Sequence, residues 1–225
     1  MAADDAAAVG RAARDLIARI PSRRRTRLGE RTGAPFGYKT GWIAARTDDP
    51  EAVARALGLA DLREVSWEEG IEASYRGSVF VSPPTQGWVL AVGVELLDRA
   101  PDLVALSAQL DTEVQLFGTH RVVEAHRWER ATDGVLRRRL RYVGERDEAE
   151  AIGEPTDVER ERGFDWVLEQ PAAPPQDEAV PDEEDVMLVA AQWSLDPREL
   201  ANTATSSEIG LSGRLTRDQR LDDPG

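Results

Sequence analysis

The sequence predicts an α+β protein: a mixed or antiparallel sheet with helices packed on one face, a long C-terminal hairpin in the sheet and a helical C-terminal appendage. Three observations lead there. Strand-like and helix-like runs are interspersed along the chain, in the order strand, helix, strands, helix, hairpin. Asp133-Gly134 sits between two β-rich runs, and a tight hairpin turn needs the positive φ that Gly supplies. Val79-Phe80-Val81 and Trp88-Val89-Leu90-Ala91-Val92-Gly93 are continuously apolar, as strands covered on both faces are.

Residues 4–20 carry Val9, Ala12, Ala13, Leu16, Ile17 and Ile20 at helical spacing, and Pro21 ends the pattern. The stretch to about residue 40 is basic, Gly-rich and aperiodic, which reads as a flexible arm; its Arg23-Arg24-Arg25 run suits a solvated tail better than an anion site. Gly41 to Arg46 reads as a strand. In Asp49-Pro50, Asp is the N-cap and Pro the first residue of a helix that ends near Gly58. Val65 to Tyr75 is weakly strand-like, and Asp102 to Leu110 is a short helix. The hairpin pairs Val114–Arg130 with Val135–Val143. With Thr132 opposite Val135, Arg130 faces Arg137, Trp128 faces Arg139 and His126 faces Arg141.

After Gly144 the composition turns rich in Glu, Asp and Pro, with Phe164–Leu168 as an apolar island and Gln170–Pro175 as a linker-like break. Pro181-Asp182-Glu183-Glu184 opens a helix whose acids suit its positive N-terminal end; Val186, Val189, Ala190 and Trp193 form its stripe. Ser194–Leu200 reads as a short helical turn and the rest as a polar tail. The expected organisation is an N-terminal helix and arm (1–40), an α+β core (41–145), an acidic Pro-rich segment with the C-terminal helix (146–200) and the tail (201–225).

Composition narrows function. The 225 residues carry a net charge of −14, unevenly spread. Residues 1–39 hold nine basic and four acidic residues, a net of +5, so the remainder carries −19. An acidic body repels nucleic acid at long range and favours cationic partners. No cysteine is present, which removes disulfides, thiol catalysis and thiolate metal sites. No apolar run approaches the ~20 residues of a membrane helix, and the N-terminal stretch has no apolar secretory core, so cytoplasmic location is expected. Lys39 is the single lysine beside 27 arginines, the codon usage of a GC-rich bacterium.

No dinucleotide or P-loop glycine motif, zincin HExxH or nucleophile-elbow GxSxG occurs, and no cofactor is implied. Two constellations on the hairpin remain. Trp128, Arg130, Arg137, Arg139 and Arg141 with His126 form a candidate anion-binding face: guanidinium groups match phosphate and carboxylate, and Trp offers a stacking surface. The competing view is an internally neutralised sheet surface, the commoner use of such clusters. His120, Glu124 and His126 are weak metal candidates, because His120 and Glu124 lie about 13 Å apart along an extended strand and Arg141 would repel a cation.

The segments GWIAARTDDPEAVARALGL, VFVSPPTQGWVLAVG, LFGTHRVVEAHRWERATDG and PDEEDVMLVAAQWSLDP resemble a group of uncharacterised bacterial proteins over roughly Gly41 to Pro197. The resemblance carries no biochemical role and no site residues. Small acidic proteins of this type include immunity partners of secreted toxins. The first expectation is therefore a non-enzymatic protein-interaction or accessory factor. An anion- or nucleotide-binding module using the arginine face is the alternative, and an enzyme built on His120, Glu124 and His126 the second alternative.

Overall fold

Asp49-Pro50 illustrates how local chemistry sets the elements. The computed structural model describes residues 32–175 and 179–216. Asp49 is the N-cap of helix α1 (Pro50–Ala56), accepting from the Ala52 amide at 2.8 Å, with Pro50 in the first turn. Strand β1 (Thr40–Ala45) precedes it. After it come β2 (Leu59–Ser66), α2 (Trp67–Ser74), β3 (Val79–Val81), β4 (Val89–Gly93), α3 (Glu95–Asp98) and α4 (Leu103–Leu110). Then follow β5 (Glu113–His120), β6 (Ala125–Thr132), β7 (Val135–Val143), β8 (Glu148–Gly153), α5 (Asp157–Arg162), β9 (Leu168–Ala172), α6 (Glu183–Trp193) and β10 (Ile209–Leu215). Residues 144–146 and 197–202 form 3₁₀ turns.

The ten strands make one sheet in the order β2-β10-β3-β4-β1-β5-β6-β7-β8-β9, with every neighbouring pair antiparallel. Strand alternation separates two cores. Trp42, Phe80, Leu90, Val92, Phe117, Trp128 and Leu140 face one way, under α2 (Trp67, Ile71) and α6 (Val186, Met187, Val189, Ala190). Ile43, Val79, Val81, Val89, Ala91, Val114 and Leu116 face the other, under α1 (Val53, Ala54), α3 (Leu96) and α4 (Leu103, Leu106). Helices therefore cover both faces, not one. This is why β4 is buried at every position, as its unbroken apolar run requires.

Several expectations are corrected. The helix α6 is no appendage: Val186, Met187, Val189 and Ala190 are fully buried in the tryptophan-side core. The expected tail contains β10, which lies between β2 and β3. The acidic segment after Gly144 is structured, supplying β8, α5 and β9. The described residues accordingly fall within one compact unit. The expected helix at 4–20 and the Arg23–Arg25 run lie outside the described residues.

The weak strand at Val65–Tyr75 is instead the end of β2 followed by α2. A capping box starts that helix: the Ser66 hydroxyl accepts from the Glu69 amide (3.3 Å) and the Glu69 carboxylate accepts from the Ser66 amide (3.2 Å). Ser66→Ala is expected to lower stability by about 1 kcal/mol, seen as an earlier urea midpoint with an unchanged slope.

Candidate functional site

The Asp133-Gly134 turn forms as expected, with φ of 51° and 73° at the two residues. Two features beyond it differ from expectation and decide the site. Val114–Arg130 is not one strand: the chain turns at residues 121–124, with Glu124 at φ 47°, so β5, β6 and β7 form a meander. The β6–β7 ladder also shifts by one residue. Ala131 pairs with Leu136, but Arg130 pairs with Arg138, Glu129 with Arg139, Trp128 with Leu140 and Arg127 with Arg141.

That bulge divides the expected arginine–tryptophan face between the two sides of the sheet. Trp128 is fully buried and packs against Phe164, so it offers no stacking platform. Its indole N–H donates to Glu159 Oε1 (2.8 Å), which also accepts from Arg138 Nε (2.7 Å). Arg138, absent from the expected set, is 1 % exposed, and its remaining donors reach the Gly153 and Phe164 carbonyls. Arg130 pairs with Glu113 at 2.9 Å and lies over the Trp193 ring. Arg137 is exposed beside the bulge.

Arg139 and Arg141 project from the opposite side, together with Arg127. All three converge on Glu129: Arg127 Nη2 at 3.0 Å, Arg139 Nε at 2.9 Å and Arg141 Nε at 3.0 Å. Glu150 stands 3.7 Å from both Arg139 and Arg141. Burial alone would raise the Glu129 carboxyl, but the three guanidinium groups outweigh it and hold it below the usual carboxylate range. Burial lowers Arg127 to about 10, with repulsion from Arg141 and Arg139 acting in the same direction and Glu129 opposing. Much of the expected anion surface is thus an internal arginine–glutamate lattice.

The metal candidates do not converge. His120 ends β5 on the lattice side, pairing with Ala125. His126 pairs with Thr119, faces the other side and is 5 % exposed; its Nδ1 shares a hydrogen bond with Thr119 Oγ1 at 3.1 Å. The Glu124 carboxylate lies against Gly144. Among the described residues no cluster of three His, Cys, Asp or Glu side chains is placed to hold a metal ion.

Desolvation depresses His126 to about 4 from its ordinary 6.5, with Asp182 pulling weakly the other way. The unfolded chain takes up this proton below pH 6.5, while the folded chain resists until about pH 4. The stability that neutral His126 contributes is therefore complete above 6.5 and is lost as pH falls toward 4. With solvent screening allowed for, the loss is about 1–3 kcal/mol. Urea melts at pH 7 and pH 4 should show it in the wild type and show less of it in His126→Phe.

One concavity adjoins the lattice, a cleft of about 330 Å³ between the end of α3 and the β5–β7 meander. Gly118 is its floor, where a Cβ would crowd Leu97 (3.0 Å) and Arg127 (3.2 Å). Leu97, Asp98, His120, Val123, Arg127, Arg141 and Val143 line it as well, with Ala125, His126 and Tyr142. Among the described residues no helix is long and apolar enough to cross a membrane. No protein-family model matches the chain, nor does any curated protein or any solved structure.

Proposed function

We propose that this chain is a non-enzymatic binding protein for a cationic protein partner, an accessory or immunity-type factor of the bacterial cytoplasm. The observation that carries this reading is the disposal of the hairpin arginines. Arg130, Arg138, Arg139 and Arg141 are each paired with Glu113, Glu159, Glu129 or Glu150. The acidic excess of the chain is then left to its outer surface.

An acidic stretch lies on the β2 edge of the sheet. Leu62 and Ile209 are 42 % and 46 % exposed there. Ile209 is opposite Ser66 at one end of the ladder and Leu62 lies by Gly213 toward the other, with Asp61, Glu64 and Glu208 exposed along it beside Arg63 and Arg214. The ladder breaks near Asp61, whose φ is 55°, and a bulged, charged edge resists addition of another strand. Contact through side chains, with charge pairing to Asp61, Glu64 and Glu208, suits this edge better.

The test is co-purification on the tagged full chain at low and high salt. The triple variant Asp61→Lys/Glu64→Lys/Glu208→Lys serves as comparison after its fold is checked by circular dichroism. A partner of basic isoelectric point, released by salt and lost in the variant, supports the reading. A partner held equally well by the variant, or one of acidic isoelectric point, overturns it.

A further inference from the structure

We infer that the cleft beside the arginine–glutamate lattice binds a small molecule through an oxyanion group, carboxylate or phosphate, held by Arg127, Arg141 and His120. It draws on the same lattice as the cationic-partner reading but concerns a different surface, since that reading places its contact on the β2 edge.

Charge balance is the first argument. On this side of the sheet three guanidinium groups meet two carboxylates, Glu129 and Glu150. Of the ionisable side chains lining the cleft, Arg127 and Arg141 are cationic and Asp98, exposed at the rim, is the single carboxylate. With Asp98 the three guanidinium groups meet three carboxylates, a local balance inside a chain of net charge −14. Arg127 is held in its cationic form less firmly than an ordinary arginine, chiefly because burial strips it of water, with Arg141 and Arg139 adding to this and Glu129 opposing it.

Unused donors are the second argument. Arg141 reaches Glu129 through Nε, and its side chain remains 42 % exposed. Arg127 reaches Glu129 through Nη2, while its Nε is buried without a hydrogen-bond partner. His120 Nδ1 is likewise buried and unpartnered. Both residues line the cleft, and the half-exposed Arg141 guanidinium is the donor an outside oxyanion reaches first.

Shape is the third. The cleft is at the small end of ligand pockets, which run from about 300 to 1,000 Å³, so its occupant is a compact metabolite and not a dinucleotide. Leu97, Val123 and Val143 supply apolar wall, which strengthens a charge-assisted hydrogen bond by excluding water. Gly118 lets Leu97 and Arg127 pack close over the strand, where a Cβ would meet them at 3.0 and 3.2 Å.

The experiment titrates the full chain with inorganic phosphate and, separately, with succinate, at pH 7 and low ionic strength. Calorimetry gives the affinity, and amide shifts of Gly118 and His120 report the location. Saturable binding of either probe, centred on these amides and weakened about tenfold or more by Arg141→Gln and by His120→Ala, is the expected result. Arg137→Gln removes an exposed guanidinium that does not line the cleft and should leave binding within about twofold. Preference for phosphate or for succinate distinguishes the two oxyanions. Arg127→Gln and Arg141→Gln each strip the buried Glu129 of a partner, so Arg141→Gln is read only after circular dichroism shows a native-like fold, and His120→Ala is the deciding arm. The inference is overturned if neither probe saturates, if neither variant weakens binding, or if Arg137→Gln weakens it as much as Arg141→Gln.

Discussion

Glu159→Ala is expected to destabilise the protein by about 3–5 kcal/mol, among the largest effects of any single substitution, because it strands a buried cation. Glu159 is fully buried, and its two oxygens accept four hydrogen bonds. Oε1 takes the Trp128 indole (2.8 Å) and Arg138 Nε (2.7 Å); Oε2 takes the Thr156 amide and hydroxyl, both at 2.7 Å. One carboxylate thus joins β6, β7 and the start of α5. Without it Arg138, 1 % exposed, keeps only the Gly153 and Phe164 carbonyls, which carry no countercharge. The double variant Glu159→Leu/Arg138→Met separates the possible origins of the loss. If the stranded charge dominates, the double variant recovers much of it; if the network itself supplies the stability, it does not. Urea unfolding of the wild type, the two single variants and the double variant gives the coupling directly. A single-variant loss below about 1 kcal/mol would show that water reaches Arg138.

The turn chemistry that positions the candidate site was readable; the register was not. Asp133-Gly134 announces its own backbone, since both residues must take positive φ. The bulge at Arg130/Ala131 has no such marker of its own: the nearby Gly134 is accounted for by the turn, and Arg137 looks like any other arginine in a run of three. Yet one extra residue sends Arg138 into the core beside Trp128 and turns Arg139 and Arg141 to the other side. The turn at 121–124 was equally silent, because Arg121-Val122-Val123-Glu124 contains no turn former and places Glu124 in a conformation that residue seldom adopts. His120 and His126 consequently face opposite ways, which no spacing argument along a single strand could reveal.

Other elements were legible and passed over. Ser66-Trp67-Glu68-Glu69 and Thr156-Asp157-Val158-Glu159 both have the S/T-x-x-E pattern of a capping box, and both open helices. In the second, acidic composition hid the signal, since a run of Glu and Arg resembles a solvated linker until Glu159 is given a buried partner. The strand β10 is different. Its neighbours β2 and β3 lie far upstream in the chain, so its burial depends on non-local pairing and is absent from the local pattern Ile-Gly-Leu-Ser-Gly-Arg-Leu.

Trp42→Ala should have an effect of similar size to that of Glu159→Ala, about 3–5 kcal/mol, for an unrelated reason. Trp42 is in β1, between β4 and β5, opposite Val92 and Phe117, and is 1 % exposed. Its ring stacks on Phe117 at 5.2 Å and meets Phe36 edge-on at 5.4 Å; Phe117 in turn contacts Trp193 of α6 at 5.8 Å. The indole thus links the segment before β1, the sheet centre and the C-terminal helix through one apolar contact chain. Truncation removes the largest of these rings and leaves a cavity that sheet backbones on both sides cannot close, so transfer and cavity terms add. Trp42→Phe keeps most of the apolar volume and the aromatic contacts, and should cost less than half as much. Trp88, only partly buried beside the same core, provides the comparison: its truncation should cost clearly less than that of Trp42. Urea unfolding followed by far-ultraviolet circular dichroism is the suitable measurement, because removing an indole alters fluorescence whatever happens to stability. Equal losses for Trp42→Ala and Trp88→Ala would mean that the aromatic chain is no more than ordinary buried area.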